Sequence, residues 1–429
     1  MITIINKIGS PFRLAVLFVI LGFVLRITLA MWLGLSTPPE HGSDEREYDA
    51  YAWNVAQGYG YRGMSPDVAD QNHLTAYRLP ATSLVWASLY SAFGHRYDVI
   101  RIANCFFGAL TILFVFGIGR RCYDDRVGLV ASAIYAVFPT ALINTVGLLS
   151  EPLGNLSFLS FIWASLVFAE RTTWRNAAIA GIMFGIAIQF RANSILMMPF
   201  LALWIVFQFR GRWGAMLQAC LIPALAVIMM IPWAVRNYIV FHKFIPLSTM
   251  GGSVLLQGNN DIVANVPERY GYNVWDTEIP EYKDALRSAG DEVERDRRAK
   301  DFAVTWIKSH PEKWGYLIRM KIWRGLTPFL QPNSPRLYRL GMLFSWGPVL
   351  VLFTMAFIPT WISFMRVKSP AWLIHLAILH FILMSVIFFG FARYRQPIEP
   401  LCIILAVRAL IFLAERFPSR KGLSHLPSI

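Results

Sequence analysis

The sequence predicts an α-helical polytopic membrane protein with about ten transmembrane helices, an interfacial helix and a small mixed domain on the outer side of the membrane. Of the 429 residues, 56% are hydrophobic and only 15% are charged, whereas soluble domains carry roughly 25% charged residues. Apolar runs long enough to cross a bilayer also recur along the chain. These two observations exclude a soluble globular protein.

Ten apolar segments are predicted to span the membrane. The first is too long for the hydrophobic region of a secretory signal, so we expect it to remain as an uncleaved span. The segment LPATSLVWASLYSAFG (79–94) is apolar but too short to span, and we expect it to lie at the membrane surface. The predicted spans are 12–35, 98–118, 127–144, 152–169, 176–191, 194–209, 214–235, 339–365, 371–391 and 397–414.

Basic residues in one set of short connections predict the orientation of the chain. Cytoplasmic connections are enriched in Lys and Arg. We therefore expect a protein of the inner (plasma) membrane with both termini on the cytoplasmic side. This bias also explains the net charge of +14 without nucleic-acid binding. The basic residues that set the orientation are Lys7, Arg13, Arg120, Arg121, Arg126, Arg171, Arg175, Arg210, Arg212, Arg366, Lys368, Arg416, Arg420 and Lys421.

Three regions follow from this topology. Residues 1–235 form an N-terminal transmembrane module whose first outer loop, 36–97, is expected to be catalytic. Residues 236–338 form a periplasmic loop or small domain, and residues 339–429 form C-terminal transmembrane helices. The remaining outer connections are 145–151, 192–193 and 392–396. Within the periplasmic region, LSTMGGSVLLQGNN (247–260) predicts a turn and a short strand, and 281–308 predicts a charged helix.

Carboxylates are concentrated at two places on the predicted outer side. The stretch SDEREYDAYAWNVAQGYGY (43–61) places Asp44 and Glu45 shortly after the first span, and Glu151 directly precedes Pro152. Proline favours the first position of a helix, so Glu151 is expected at a helix N-terminus. Asp44 and Glu45 are expected at another, if a helix begins near Ser43. A favourable interaction with the helix dipole is one explanation. Function is the other, because carboxylates at a membrane face are costly.

Arginines near the outer ends of the predicted spans accompany these acids. Arginine is well suited to bind phosphate oxygens, although each one alone is also explained as a snorkelling interface residue. With Asp44 and Glu151 they predict a site for an amphiphile that carries a phosphate. The candidate phosphate ligands are Arg236 and Arg393, followed by Arg78, Arg191 and Arg395. A helix that begins near Ser43 would place Tyr48 and Tyr51 on the face of Asp44, which is the expected sugar or acceptor side.

Several motifs in this order carry a family likeness. They are SDEREYDAYAWNVAQGYGY, AYRLPATSLVWASLYSAFG, GRRCYDDRVGLVASAIYAVFP, LLSEPL, PWAVRNYIVFHKFIPLSTMGGSVLLQGNN and ARYRQPIEP. With these motifs the chain resembles the GT-C membrane glycosyltransferases. The likeness is to the bacterial group similar to dolichyl-phosphate-mannose–protein mannosyltransferases and lipid A aminoarabinose transferases. The resemblance implies a GT-C-like bundle and a polyprenyl-phosphate-linked sugar as donor.

The resemblance also assigns roles to acidic residues. An acidic residue early in the first outer loop is catalytic in that family and aligns with Asp44, while the adjacent Glu45 leaves the register open by one residue. A second acidic residue corresponds to Glu151. The family varies in metal dependence, and the predicted outer face has no obvious His/Asp cluster. We therefore expect no obligatory cofactor.

An inverting transfer is the expected reaction. A carboxylate takes the proton of an acceptor hydroxyl, and arginines stabilise the departing lipid phosphate. The acceptor remains open between a lipid, a polysaccharide and a protein, and so does the sugar. One alternative is a flippase or transporter of a lipid-linked sugar, and another is an O-antigen ligase or polymerase. Transporters often contain repeated halves, whereas this sequence has no evident inverted repeat.

Overall fold

The chain is almost entirely helical in the computed structural model, which describes residues 10–40, 42–63, 73–329, 336–362 and 369–416. Within these residues the one pairing of extended segments is an isolated antiparallel bridge of Arg62 with Leu74. The predicted placement of both termini lies outside the described residues, as do Lys7, Arg366, Lys368, Arg420 and Lys421.

The α-helices are numbered in chain order over the described residues. They are α1 (Pro11–Leu33), α2 (Asp44–Ala56), α3 (Ala81–Phe93), α4 (Tyr97–Cys122), α5 (Asp125–Ala136), α6 (Pro139–Ile143), α7 (Glu151–Glu170), α8 (Trp174–Phe190), α9 (Met198–Phe209), α10 (Trp213–Phe241), α11 (Gly251–Gln257), α12 (Asp261–Asn265), α13 (Pro280–Arg287), α14 (Glu292–Ser309), α15 (Pro311–Leu326), α16 (Arg336–Ile362), α17 (Trp372–Ile387) and α18 (Glu399–Arg416). Short 3-10 turns cover Ala192–Met197, Pro267–Arg269, Asp276–Glu278 and Ala392–Arg395.

Six helical segments of the described chain are long and apolar enough to cross a membrane. They are Pro11–Leu33, Tyr97–Cys122, Glu151–Glu170, Ala192–Phe209, Trp213–Phe241 and Arg339–Phe357. At about 1.5 Å per residue, 18 residues extend about 27 Å, which approaches the hydrocarbon thickness of about 30 Å. These segments confirm the predicted class of membrane protein. The other predicted spans, 127–144, 176–191, 371–391 and 397–414, coincide with helices that are shorter, broken or more charged.

The predicted span 127–144 is broken in the structure. Helix α5 ends at Ala136, Phe138 is extended, and α6 begins at Pro139. Proline has no backbone N–H and disfavours a helical conformation in the residue before it, so an uninterrupted helix cannot pass this point without cost. The segment therefore forms two helices that meet before Pro139 rather than one continuous helix, and its crossing of the membrane stays a prediction.

The predicted interfacial segment forms α3. Its buried face includes Trp86 and Tyr90, and it packs against α2. The Tyr48 and Trp86 rings meet edge to face at 5.8 Å, and the Tyr90 hydroxyl donates to Asp49 at 2.7 Å. The predicted helix is confirmed, and its position along the membrane surface stays a prediction.

The strand expected within 247–260 is wrong, because residues 251–257 form α11. The Asp296 carboxylate accepts the backbone N–H of Gly252 at 2.7 Å and so satisfies a donor at the N-terminus of this helix. Gly252 also lets α11 approach α14 closely, since a Cβ there would lie 2.0 Å from the Asp296 carbonyl oxygen. Tertiary contacts therefore override the local preference, and the region 236–338 is helical rather than mixed in its described residues.

The predicted charged helix 281–308 consists of two helices. Helix α13 ends at Arg287, and α14 restarts after Asp291, whose carboxylate accepts the backbone N–H of Glu294 at 2.6 Å. The helices of this region enclose an apolar cluster of their own. Its buried members are Leu256, Val263, Val274, Ile279, Leu286, Ala299, Ala303, Trp306 and Leu317.

Candidate active site

Helix α2 begins at a defined N-cap, Ser43, and this cap determines the direction in which its first acidic residues point. The Ser43 hydroxyl accepts the backbone N–H of Arg46 at 3.3 Å, so the helix starts at Asp44. Asp44, Glu47 and Tyr48 then stand three and four residues apart and share one face. This local geometry points them towards the same part of the fold.

Glu151 reaches that place from a distant part of the chain. It is the first residue of α7, directly before Pro152 in the first turn, and it is buried with 1% of its surface exposed. The hydroxyl of Tyr48 on α2 donates to that of Ser150, at 3.2 Å. This contact joins the starts of α2 and α7, so the two predicted acidic clusters lie side by side.

Three arginines link the carboxylates into a continuous network. Arg78 donates to Asp44 at 2.7 Å and also to Glu47. Arg393 donates to Asp44 at 2.7 Å and to Glu151 at 2.5 Å. Arg191 pairs with Glu151 at 3.1 Å. Three acids thus neutralise three arginines.

The pairing controls the charge of Asp44. Burial alone would raise the pKa of this carboxyl, but Arg78 and Arg393 hold the pKa well below its usual range. Burial would lower the pKa of Arg393, but Glu151 and Asp44 raise it above its usual value. The free site therefore holds Asp44 as a carboxylate at neutral pH.

The charged residues of the network other than Glu47 line an open cleft with a volume of about 300 Å³. Asp44 and Arg393 are its more accessible charged groups, with 25% and 29% of their side chains exposed, against 2% for Glu151. Apolar side chains also line this cleft. They include Leu79, Phe190, Ile195, Leu196, Leu247, Val254, Met384 and Phe388.

Five predicted site residues that carry charge meet in this cleft. They are Asp44, Glu151, Arg78, Arg191 and Arg393, and Tyr48 lines the cleft with them. The Arg78 guanidinium also lies 4.9 Å from the Tyr48 ring centre. Residues from five separated segments thus converge at one polar surface.

Glu45 does not line the cleft. It faces the 145–149 connection, where Leu148 donates a backbone hydrogen bond to it, and a Cβ on Gly147 would come within 2.7 Å of its carboxylate. Burial raises the pKa of Glu45. The geometry therefore separates Glu45 from Asp44, which the sequence left adjacent in register.

Arg236 is also outside the cleft. Its guanidinium donates to the backbone carbonyls of Thr75 at 2.8 Å and Tyr61 at 3.1 Å, and it lies 4.9 Å from the Trp233 ring centre. These contacts hold a connection rather than face a ligand. The geometry thus disagrees with the placement of Arg236 as a leading phosphate ligand.

Arg395 and Tyr51 are likewise placed elsewhere. Arg395 is fully buried, pairs with Glu399 at 2.9 Å and donates to the carbonyl of Gly325 at 2.9 Å. Tyr51 is fully buried and packs 5.1 Å from the Tyr61 ring. Both side chains stabilise the fold around the site.

The sequence analysis missed two residues that contact the arginines of the network. Glu47 pairs with Arg78, and its position three residues after Asp44 on an amphipathic helix was a usable signal. Tyr394 lies with its ring 5.6 Å from the Arg191 guanidinium. It adjoins Arg393 in the motif ARYRQP, but no periodicity marked it.

Comparison with known proteins agrees with this architecture. Residues 79–235 match the family model described as dolichyl-phosphate-mannose-protein mannosyltransferase. The crystal structure of the oligosaccharyltransferase of Archaeoglobus fulgidus in the apo form superposes with a TM-score of 0.62 at 14% identity, covering 97% of this chain and 52% of that one. The chain has the GT-C fold of that oligosaccharyltransferase.

Other GT-C structures are similar to lesser degrees. Archaeal AglB from Archaeoglobus fulgidus, in complex with an inhibitory peptide and a dolichol-phosphate, aligns with a TM-score of 0.59, 14% identity and coverage of 96% of this chain and 51% of that chain. ArnT from Cupriavidus metallidurans bound to undecaprenyl phosphate aligns with a TM-score of 0.44, 13% identity and coverage of 94% and 78%. The chain spans about half the length of the oligosaccharyltransferases that it matches. No curated protein sequence matches it.

Some of the charged residues that line the cleft lie inside the region of the family match, and others lie outside it. Glu151 and Arg191 lie within 79–235, whereas Asp44, Arg78 and Arg393 lie outside it. The match therefore covers only part of the N-terminal module, and the polar network joins this part to α2 and to the C-terminal segment.

Proposed function

We propose that the protein is an inverting glycosyltransferase that moves a sugar from a polyprenyl-phosphate carrier to an acceptor on the outer side of the membrane. The observation that carries this proposal is the joining of an arginine–carboxylate network to an apolar cleft. The charged and the apolar lining residues suit the two parts of an amphiphile that carries a phosphate. The acceptor class, whether lipid, polysaccharide or protein, remains open.

The phosphate is proposed to bind at Arg393 and Arg191. Arginine forms charge-assisted, bidentate hydrogen bonds with phosphate oxygens. Arg393 is the more exposed of the two, and Arg191 shares Glu151 with it. AglB, which has the same fold, was solved with a dolichol-phosphate, and this supports a lipid phosphate as the ligand.

Asp44 is proposed as the general base. In the free site two arginines stabilise its charge, so its proton affinity is low. A phosphate that competes for Arg393 would remove part of this stabilisation and raise the pKa of Asp44 towards its usual value. Donor binding would then turn a paired carboxylate into a stronger base.

The proposed chemistry balances within the cleft. Asp44 takes the proton from an acceptor hydroxyl as its oxygen attacks the anomeric carbon from the face opposite the phosphate. The bond between the anomeric carbon and the phosphate oxygen breaks, and its electron pair stays on that oxygen. The arginines stabilise the resulting charge, and the configuration inverts.

Glu151 is proposed to orient the sugar or the acceptor. Its Oε1 atom is paired with Arg393 and Arg191, while its Oε2 atom is buried and has no hydrogen-bond partner among the described residues. A buried carboxylate oxygen without a donor is costly. A substrate hydroxyl would satisfy it.

The test uses the purified full chain in detergent and a long-chain polyprenyl phosphate as the probe. We expect specific binding by the wild type and loss of binding in Arg393→Gln. Arg297→Gln is the control, because Arg297 is exposed on α14 and pairs with Glu294. Equal binding by all three proteins would contradict the proposal. Turnover of a lipid-linked sugar without membrane compartments would further distinguish a transferase from a flippase.

A further inference from the structure

Residues 75–78 form a buried connection between the first outer loop and α3. Thr75, Ala76, Tyr77 and Arg78 are all buried, and none of them belongs to a helix or strand. Buried backbone groups need hydrogen-bond partners, so other parts of the fold must supply them. The path of this connection also determines where the Arg78 side chain enters the cleft.

Glu292 supplies an acceptor at the centre of this connection. One carboxylate oxygen, Oε1, accepts the backbone N–H of Ala76 at 2.7 Å and the hydroxyl of Thr249 at 3.2 Å. The other oxygen accepts the hydroxyl of Thr75 at 2.6 Å. Glu292 is 8% exposed and is the first residue of α14, where the helix dipole favours a carboxylate.

Several other polar groups of the connection also have partners. Arg236 donates to the Thr75 carbonyl at 2.8 Å, and the backbone N–H of Thr249 donates to the Ala76 carbonyl at 3.0 Å. The Thr75 hydroxyl accepts the N–H of Tyr77 at 3.0 Å while it donates to Glu292. Glu292 therefore has no substitute among the described contacts of the Ala76 amide.

Glu292 also connects two walls of the cleft. Thr249 lies between Ser248 and Met250, which line the cleft, just as Thr75 and Ala76 precede Tyr77 and Arg78, which line it too. A single carboxylate on the periplasmic region thus holds two lining segments at fixed separation. None of its described hydrogen bonds involves the cleft arginines themselves.

We infer that Glu292 is a positioning residue of the cleft, which holds the 75–78 connection so that Arg78 reaches Asp44 and Glu47. It acts through Arg78 and does not touch the substrate. The inference concerns the same site as the proposed function, and its effect on lipid-phosphate binding rests on that proposal. Its effect on the connection itself does not.

Hydrogen exchange of the full-length protein tests the structural half without any ligand. In Glu292→Ala we expect the Ala76 amide, followed in peptides that cover 73–79, to exchange at least about tenfold faster, because a hydrogen bond to a charged acceptor is lost. Glu292→Gln keeps an acceptor oxygen and should restore most of the protection. The control Glu294→Gln removes an exposed carboxylate on the same helix and should change nothing. Thr249→Val, a milder change, should loosen the same peptides less.

Binding of a long-chain polyprenyl phosphate tests the functional half. Without Arg78 in place, Asp44 pairs with Arg393 alone and competes more strongly with a phosphate for it, so Glu292→Ala and Arg78→Gln should each weaken binding roughly tenfold. The double variant should be no weaker than the worse single variant, because both changes act through Arg78. Multiplied losses in the double variant would overturn the inference, as would unchanged exchange at 73–79 in Glu292→Ala. Faster exchange with unaltered phosphate binding would also overturn it. If the wild type binds no lipid phosphate, the proposed function fails, and the exchange result still decides whether Glu292 holds the connection.

Discussion

The guanidinium of Arg393 lies 2.7 Å from the carboxylate of Asp44, although 349 residues separate them in the chain. These two residues are also the more exposed charges of the network. A ligand that enters the cleft therefore meets an ion pair whose two members suit different tasks, phosphate binding and proton transfer.

Asp44 should be required for turnover and Glu45 should not. Removal of a positioned base costs roughly 10²–10⁴-fold in rate, so Asp44→Asn should lose most transfer activity and still bind a polyprenyl phosphate. Glu45→Gln changes the neighbouring carboxylate, which faces Leu148 instead of the cleft, and should stay within a fewfold of the wild type. A rate assay of both variants in detergent measures this. Loss of activity in Glu45→Gln alone would put the base one residue later.

Arg393 and Arg191, which both pair with Glu151, should both contribute to lipid-phosphate binding. Arg393→Gln should weaken binding of a polyprenyl phosphate by roughly tenfold to a hundredfold, because charge-assisted hydrogen bonds are removed. Arg393→Lys should recover little, since an ammonium cannot bridge two carboxylates as a planar guanidinium does. Arg191→Gln should weaken binding as well. An Arg393→Lys protein with wild-type affinity would argue against bidentate binding.

Asp44 should contribute to stability in a way that depends on pH. Its pKa is lower in the folded protein than its ordinary value of 3.8, so the folded state favours the ionised form. The contribution is complete above the ordinary pKa and is lost as the pH falls through the lower folded value. Thermal unfolding in detergent should find Asp44→Asn less stable than the wild type at pH 7, and the difference should shrink below pH 3.8. A difference that grows on acidification would contradict the ion pairs.

Two adjacent glycines provide a matched test of how closely α11 packs against α14. A Cβ on Gly252 would lie 2.0 Å from the Asp296 carbonyl oxygen, whereas a Cβ on Gly251 has no neighbour within 4 Å. Gly252→Ala should therefore destabilise the packing of α11 on α14 by roughly 1–3 kcal/mol, and Gly251→Ala should be nearly neutral. Limited proteolysis of the two variants at increasing temperature compares them. Equal resistance would mean that the helices do not approach this closely.

The local signals in the sequence were sufficient for the membrane class and for much of the polar network. Long apolar runs predict membrane-spanning helices without knowledge of their partners. Glu151 before Pro152 indicates the start of a helix. Asp44, Arg78 and Arg393 follow from charges placed beside apolar segments. Each of these signals depends on residues that are neighbours in the chain.

Other features depended on contacts between distant residues. The sequence ranked Arg236 ahead of Arg78 as a phosphate ligand, but Arg236 donates to carbonyls at positions 61 and 75. The helix at 251–257 depends on Asp296, about 40 residues away. Local periodicity cannot encode such partners.

The central claim is that Asp44 acts in sugar transfer within an arginine-lined cleft. Mass spectrometry of cell-envelope glycans tests it most directly, in cells that lack the protein and that express the wild type, Asp44→Asn or Glu45→Gln at equal levels. The account predicts that a sugar mass is absent without the protein, is restored by the wild type and Glu45→Gln, and stays absent with Asp44→Asn. Full restoration by Asp44→Asn, or an identical glycan profile with and without the protein, would contradict it.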